Sequence, residues 1–301
     1  MMKKKSYSPN SGYGLFLVPG ILVFLVLIVA PFLVNIGVSF TKWTGIGAPK
    51  WIALANYTKA FSDTIFWSSF RNNVYLILGM TILPTLIGLI LAVVLFDYVA
   101  KRFGQGIASI FRAAFYLPQI LPVVVAAIVW RWILQPDWGV VNQVLKTLGI
   151  APVNWLGDPQ TALLSVLFML IWFQIGYPLV IFMAGLQRVD PELYEASAID
   201  GATWMQRIVY ITVPLLRPEL YVVVLTTTIF ALKTFGPVFA MTKGGPGNAT
   251  MVASYFSYKN FFENSNVGYG STIATLLTIV VIVVTVVSIR VQTRHEYRES
   301  L

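Results

Sequence analysis

The sequence predicts an all-α membrane protein with about six transmembrane helices, and three observations support that fold class. Hydrophobic residues make up 57% of the 301 residues and charged residues only 11%, whereas about 25% of an ordinary soluble domain is charged. Apolar residues gather in long runs that short charged stretches separate. Lysine and arginine concentrate at the ends of those runs, as they do beside the faces of a bilayer.

The N-terminal apolar run predicts a first span that the protein retains. It follows Lys3, Lys4 and Lys5, and no charged residue occurs from residue 6 to residue 41. The apolar region of a cleaved signal peptide covers only about 7–15 residues and ends at a small-residue cleavage site. This run is much longer and shows no convincing cleavage site. We therefore predict a cytoplasmic segment over residues 1–14, followed by a membrane helix.

Six runs in all are long enough to span a bilayer, because about 20 residues at 1.5 Å each cross a core of about 30 Å. The fifth run is the least regular, since Arg217, Glu219 and Lys233 lie within it. Several runs contain proline, which is common in membrane helices but also kinks helices that border water-accessible paths. The predicted membrane domain covers residues 15–290, with spans at about 15–38, 73–96, 113–134, 161–186, 210–234 and 271–289.

The distribution of lysine and arginine predicts which way the spans face. With the N-terminus inside, the inner segments carry more of these residues per unit length than the outer loops, and such an excess marks the cytoplasmic side. Both termini are then cytoplasmic, with a tail over residues 291–301. The longer outer loops hold tryptophans such as Trp43 and Trp138, which are typical of the bilayer interface.

Composition excludes several classes of function. The net charge is +9, but the basic residues form no continuous stripe, which favours anchoring at the membrane face over nucleic-acid binding. The absence of cysteine excludes disulfides, zinc–thiolate sites and thiol nucleophiles. The single histidine, His295, lies in the tail, so we expect no metal site. No phosphate-binding Walker A pattern occurs, so we expect a transport subunit without catalytic residues or a bound cofactor, not an ATPase.

The inner segment between spans four and five predicts a short helix over about 191–201. Asp190 is a preferred N-cap, Pro191 suits the first helical position, and Glu192 favours the positive end of the helix dipole. Gly201 can adopt the left-handed conformation that ends a helix. A second helix is expected to begin at once, at a sequence that resembles a capping box, and to lead into span five.

This short helix is expected to dock on a protein. It is too short and too polar to cross a membrane, and it would not be stable alone. Leu193, Ala196 and Ile199 give it only a weak apolar stripe. Helices that lie on lipid are usually rich in lysine and arginine, whereas this one is acidic. A protein partner is therefore favoured over the membrane surface.

The same segment resembles the EAA motif of binding-protein-dependent ABC importer permeases. The family pattern is Glu-Ala-Ala, three residues, Gly, nine residues, Ile, one residue and Leu-Pro. Two small departures occur, at Ser197 for the third alanine and Val213 for leucine. The matching residues are Glu195, Ala196, Gly201, Ile211 and Pro214.

Further segments along nearly the whole chain are similar to the carbohydrate permeases of the MalF/UgpA type. Each is a moderate signal alone, and together they favour a sugar transporter. These segments are Asn56-Tyr57 with Phe61, Trp130 to Leu134 followed by Trp138-Gly139 and Asn142, Ala184 to Gln187 with Ile199 to Ala202, and Thr242 to Pro246.

The resemblance implies the type I ABC importer permease fold and a set of partners. The short helix would be a coupling helix seated in a cleft of a cytoplasmic ATPase dimer, which would bind ATP and Mg²⁺. A second, homologous permease subunit and an extracytoplasmic sugar-binding protein would complete the importer, which would work by alternating access. The implied ATPase-coupling residues are Glu192, Glu195, Ala196, Ser197, Asp200 and Gly201. The implied contacts for the binding protein are Gly244, Gly245 and Pro246.

Polar and aromatic residues of spans four and five are the candidates for the solute path. Sugars suit stacking on aromatic rings and hydrogen bonds from amides and hydroxyls. The other reading is that aromatic residues pack between helices and that threonine bonds its own backbone. Lys233 is open to two readings, snorkelling to the outer interface or lining the path. The candidates are Phe173, Gln174, Tyr177, Thr227, Phe230 and Thr234. Offsets within the MalF-type family also indicate all of these except Phe230.

Two alternatives to a sugar importer remain open. An ABC permease for another solute, such as glycerol-3-phosphate or an amine, would predict extra cations along the path for a phosphorylated solute. A secondary transporter or channel would predict membrane-buried Asp, Glu or His for ion coupling. None of these residues lies deep in a predicted span, and the acidic inner helix would be left without a role.

Overall fold

The computed structural model describes residues 13–299, with side-chain surroundings for residues 16–293. Lys3, Lys4 and Lys5 lie outside these residues, as do the side chain of His295 and the last residues of the tail. The cytoplasmic placement of both ends therefore stays a prediction. The described chain is mostly helical with very little strand, which agrees with the predicted fold class.

The first span is one continuous helical run at the edge of the bundle. It consists of α1 (Tyr13–Phe24), a π-helical turn (Leu25–Val29) and α2 (Ala30–Ser39). None of its most apolar 18-residue window is buried, and only its end is fastened, where Asn35 Nδ2 donates to Thr275 Oγ1 at 3.0 Å. Such a fully apolar surface is stable only in lipid or against another apolar surface. A two-stranded antiparallel sheet follows, β1 (Thr41–Lys42) with β2 (Lys50–Trp51).

The second span is the central helix of the bundle. After α3 (Ala55–Ser62), α4 (Thr64–Val93) continues through a π-helical turn (Val94–Val99) into α5 (Ala100–Phe103). The helix is longer than the predicted span, 73–96, because a helix continues past the bilayer faces where its charged residues meet water. Helix α4 packs against α9, α10 and α14, which are defined below.

The third span, predicted over 113–134, is broken near prolines of the kind that the sequence marks as possible kinks. Helices α6 (Gln105–Ile120) and α7 (Val123–Ile133) meet at an angle of 95°. The break falls at Leu121, whose backbone is extended with ψ 143°, because the ring of Pro122 disfavours a helical conformation in the residue before it. An outer helix, α8 (Val140–Thr147), follows.

The fourth span is formed by α9 (Ala162–Gln174) and α10 (Gly176–Leu186), which together cover residues 162–186 and agree with the predicted 161–186. Gly176 sits against the third span, where a Cβ would lie 2.5 Å from the carbonyl oxygen of Phe115. Small residues that permit such close approach are typical of membrane helix packing.

The fifth span, predicted over 210–234, is also bent near its prolines. The inner segment comprises α11 (Pro191–Ile199), α12 (Trp204–Arg207), a π-helical turn (Ile208–Thr212) and α13 (Val213–Leu215). The chain then turns by 72° into α14 (Arg217–Leu232). The turn falls at Leu216, just before a proline at the second position of α14, which cannot donate to the preceding helix.

The last part of the chain forms the outer loop and the sixth span. It contains α15 (Gly236–Met241), α16 (Ala253–Tyr258), a π-helical turn (Lys259–Glu263) and α17 (Val267–Glu299). By length and composition, four helices of the described chain could cross a membrane, and six if each bent pair is one span. This range includes the six spans that the sequence predicts.

Buried asparagines fasten the outer loops to the bundle. Asn73 Oδ1 of α4 accepts a hydrogen bond from Ala253 N at 2.9 Å, and its neighbour Asn72 donates to Met251 O at 2.8 Å. Asn142 is fully buried and accepts from Trp155 Nε1 at 2.9 Å. Each amide satisfies backbone groups that would otherwise be buried without partners.

Candidate functional site

The helix α11 forms where the sequence predicts it. The side chain of Asp190 accepts a hydrogen bond from Glu192 N at 3.0 Å, which is an N-cap. Gly201 takes φ +76° and ends the helix. The side chain of Thr203 and that of Gln206 cap each other's backbone, so the predicted capping box is present. The short helix, the glycine corner and the second helix all follow from local sequence.

The candidate coupling residues present an open surface. No residue of α11 is buried, and Ile199 at its end is 87% exposed. Among the six coupling candidates, only Ser197 is partly covered, and its hydroxyl donates to Tyr194 O at 2.8 Å. The other candidates are exposed, namely Glu192, Glu195, Ala196, Asp200 and Gly201.

Contacts within the chain hold this helix against the next one. The hydroxyls of Tyr194 and Thr212 lie 3.0 Å apart, and Thr212 is buried. Arg188 and Glu219 form an ion pair between the end of α10 and the start of α14. Neither contact could be predicted from the sequence, because each joins residues that are far apart along the chain.

The solute-path candidates fall into two groups. Phe173 and Gln174 are buried, and Gln174 Oε1 accepts a hydrogen bond from Gln119 Nε2 at 3.3 Å. Thr227 is fully buried and donates to Val223 O at 2.8 Å, as the packing alternative expects. Tyr177 packs against the inner apolar cluster around α10. The structure therefore places these four residues mainly between helices.

The remaining two candidates line a common cavity. Phe230 and Thr234 border a cavity of about 410 Å³ on the outer half of α14. Lys233 also lines it, together with the exposed Thr226. Val123, at the start of α7, forms part of the opposite wall. The cavity thus forms beside the break in the third span.

Lys233 is the charged residue of this cavity. Its side chain is exposed and makes no hydrogen bond or ion pair with the described residues. It also borders a second cavity of about 470 Å³, which Ser254, Ser257 and Thr278 line with hydroxyls. A lone cation here can meet an anion or snorkel to the interface, so both sequence readings remain open.

The glycine loop of the outer side is folded in on itself. Gly244 is buried with φ +76°, and a Cβ there would lie 2.7 Å from Met251 Cε. Thr250 Oγ1 donates to Gly245 O at 2.8 Å. Gly245 and Pro246 remain partly exposed, whereas Gly244 acts mainly on the shape of the loop. Gly245 and Pro246 are therefore more accessible to a binding protein than Gly244 is.

An aromatic cluster lies beside this loop. Phe235 stacks on Phe239 with ring centroids 5.5 Å apart and packs on Tyr255 and Tyr258. Burial, together with the charge of Glu263, raises the pKa of Tyr255 to about 12. The Tyr255 hydroxyl donates to Glu263 Oε1 at 3.2 Å, so the tyrosine stays neutral. This hydrogen bond joins α16 to the end of the π-helical turn that follows it.

Comparisons with known proteins give one consistent picture. The family described as "Binding-protein-dependent transport system inner membrane component" matches residues 85–299. The probable ABC transporter permease protein YurN of Bacillus subtilis is 35% identical over 265 residues, which cover 87% of this chain and 89% of YurN. The trehalose/maltose transport system permease protein MalF of Thermococcus litoralis is 34% identical over 225 residues, 75% of this chain and 74% of MalF.

A solved structure has the same fold. A chain of a bacterial ABC transporter that imports the acidic polysaccharide alginate superposes with a TM-score of 0.79. The superposition covers 94% of this chain and 95% of that one, at 22% sequence identity. At this identity the likeness concerns the fold alone, which is that of an ABC importer permease.

Proposed function

Because the chain belongs to the family of binding-protein-dependent transport system inner membrane components, a family of ABC transporter permeases, we propose that its solute is a sugar or a small oligosaccharide. The Thermococcus litoralis relative is named for trehalose and maltose. The cavity on α14 offers threonine hydroxyls and the ring of Phe230, groups that suit hydrogen bonding to and stacking on a sugar. Substrate contact is proposed for Phe230 first, since it is partly exposed in the cavity, whereas Thr234 is buried and its hydroxyl donates to Phe230 O at 3.1 Å.

The helix α11 is the coupling helix of this proposal, which the absence of buried residues in this helix supports most directly. A nine-residue acidic helix without a buried residue has too little packing to be kept for stability alone. We expect it to seat in a cleft of a cytoplasmic ATPase dimer, where ATP and Mg²⁺ bind. The partner hydrolyses ATP, and this chain converts the resulting motion of α11 into a change in the side of the membrane to which the solute path opens.

The other partners follow from the same proposal. An extracytoplasmic binding protein delivers the solute to the outer loops, near Gly245 and Pro246. A second, homologous permease covers the face of α14 that carries the cavity, since one bundle of about six spans leaves that face open. Both termini lie in the cytoplasm, which puts α11 on the side of the ATPase.

One observation supports a second candidate, a permease for an anionic solute. Lys233 projects into the cavity of about 410 Å³, and no acidic residue lines that cavity. A phosphate, carboxylate or sulfonate on the solute would neutralise this charge, and an exposed cation near apolar surface favours such a partner. Glycerol-3-phosphate and acidic sugars fall in this class, whereas a secondary transporter without ATP is disfavoured by the family.

Recovery of the partners tests the proposed function directly. The tagged chain is purified from its own membranes in mild detergent, and copurifying proteins are identified. We expect an ATPase subunit and a second permease. ATP hydrolysis is then measured with the binding protein and a panel of trehalose, maltose, xylose and glycerol-3-phosphate. Recovery of the chain without an ATPase subunit contradicts the importer, and stimulation by glycerol-3-phosphate alone favours the second candidate.

A further inference from the structure

We propose that the ion pair of Arg188 and Glu219 is a clamp that makes residues 188–219 move as one body. The inference rests on the proposed function, because it concerns how motion of the coupling helix α11 reaches the membrane. The clamp joins the end of α10 to the start of α14, which are the two helices on either side of the coupling segment. Both residues are positioning residues and touch no solute.

The site is built to hold the carboxylate of Glu219. Its side chain is only 8% exposed, whereas that of Arg188 is 72% exposed. Gly185 leaves the space that the carboxylate occupies, since a Cβ at this position would lie 2.9 Å from Glu219 Cδ. Glu219 also lies in the first turn of α14, where the helix dipole favours a negative charge. A buried carboxylate depends strongly on its cationic partner.

Three contacts, each between residues closer in sequence than the last, hold the two arms of the segment together from its base to its tip. Arg188 and Glu219 form the contact nearest the membrane. Tyr194 and Thr212 form the middle one at 3.0 Å, and Ala202 N donates to Ser197 O at 2.9 Å at the tip. The segment is therefore a helical hairpin with Ile199 at its free end. The ion pair is the polar contact at its base, beside the apolar cluster that contains Leu186 and Leu216. Opening the base would let α11 move without α10 and α14.

A clamp and a purely stabilising contact predict different effects of the two single substitutions. Arg188→Gln leaves a buried carboxylate without its partner, which is costly, whereas Glu219→Gln leaves an arginine that water can solvate. A stabilising contact thus predicts harm mainly from Arg188→Gln. A clamp predicts that both substitutions separate the motions of α11 and α14, because either one opens the base of the hairpin.

The chain contains a matched control pair. Lys101 Nζ lies 3.1 Å from Asp97 Oδ1, four residues apart in one helical run at the same end of the bundle. This pair closes no loop between different helices. Lys101→Gln should therefore change neither the hairpin nor transport, and Arg188→Lys should preserve most of the clamp because it keeps the charge.

Spin labels measure the rigidity of the hairpin in the full chain. Because the chain has no cysteine, Ile199→Cys and Val222→Cys place two labels at exposed positions on α11 and α14. In lipid nanodiscs, pulsed electron paramagnetic resonance should give one narrow distance distribution for the otherwise unsubstituted chain, Arg188→Lys and Lys101→Gln. Arg188→Gln and Glu219→Gln should both lose it. A distribution that stays narrow in either variant, or that broadens in Arg188→Gln alone, overturns the clamp.

A second measurement connects the clamp to transport. Vesicles that contain the copurified complex and its binding protein are used to measure the number of ATP molecules hydrolysed per molecule of radiolabelled trehalose imported. This ratio should rise at least about fivefold in Arg188→Gln and Glu219→Gln, which is the lower end of the usual coupling between two sites. A parallel fall of hydrolysis and import, at an unchanged ratio, contradicts the clamp. Absence of ATP-driven import in the unsubstituted complex counts against trehalose as the solute, and the label distances then still decide the clamp.

Discussion

At the scale of single residues, the function of the coupling segment depends on local conformation. The N-cap at Asp190, the corner at Gly201 and the capping box at Thr203 were all predictable from sequence, since each needs only residues within a few positions. The ion pair of Arg188 with Glu219 was not, because nothing in either local sequence specifies a partner on another helix.

Gly201→Ala tests whether the corner requires a left-handed residue. Gly201 has φ +76°, whereas Gly106 lies in α6 without a positive φ and without atoms near its Cβ position. We expect Gly201→Ala to lower the free energy of unfolding by about 1 kcal/mol and to misplace α11. Gly106→Ala should leave it unchanged or higher. Thermal unfolding in detergent and ATPase stimulation measure both effects, and equal behaviour of the two variants contradicts the role of the corner.

Asn142→Ala tests the fastening of the outer loop after the third span. Asn142 is fully buried and its amide bonds Pro136 O, Val153 O, Val153 N and Trp155 Nε1. Its loss should cost about 2 kcal/mol or more, because several buried groups lose partners. Asn264→Ala, at an exposed position, is the control. Chemical unfolding gives the difference, and a cost below that of the control would show that the loop is held in another way.

The pKa of Tyr255 predicts a loss of stability in alkaline solution. Burial first, and the charge of Glu263 second, raise this pKa from the usual 10.0 to about 12. Between these values the unfolded chain releases the tyrosine proton and the folded chain keeps it, so stability falls as pH rises. Below pH 10 the contribution is fully present. Subtracting the tyrosinate absorbance of Tyr255→Phe from that of the parent isolates this titration, and a midpoint near 10 would contradict the burial.

At the scale of elements, the sequence predicted where helices occur better than how they bend. The fourth span matched closely because its residues are uniformly apolar between clear ends. The 95° and 72° bends of the third and fifth spans were not predicted. Proline marks a possible kink, but the angle depends on which neighbours pack on each side, and one sequence does not contain that information.

Gly176→Val tests the packing that positions the broken third span. The Cβ of a substituted residue would lie 2.5 Å from Phe115 O and 2.7 Å from Tyr116 Cα, both backbone atoms that cannot move alone. Overpacking of this kind costs about 1–3 kcal/mol, and the cavity beside α7 should change with it. Gly20→Val, which meets no atom within 4 Å, is the control. A variant with unchanged unfolding and transport would contradict the close contact.

At the scale of the whole molecule, one bundle carries the cavity and the coupling hairpin at opposite ends of α14. The cavity lies by Phe230 and Lys233, and the hairpin closes at Glu219. Both lie on the helix α14, which has 16 residues, and Glu219 and Phe230 are separated along it by about 17 Å at 1.5 Å per residue. In the proposed importer, motion of the hairpin would therefore reach the cavity through this single helix.

The account depends most on α11 lying in the cytoplasm and docking on an ATPase. Cysteine labelling tests this directly, because the chain has none of its own. Ile199→Cys in sealed vesicles is treated with a membrane-impermeant maleimide, and Lys243→Cys in the outer loop is the control of opposite orientation. We predict that Ile199→Cys reacts only from the cytoplasmic side and is protected when the ATPase subunit is bound. Labelling from the outside, or no protection by the ATPase, would contradict the account.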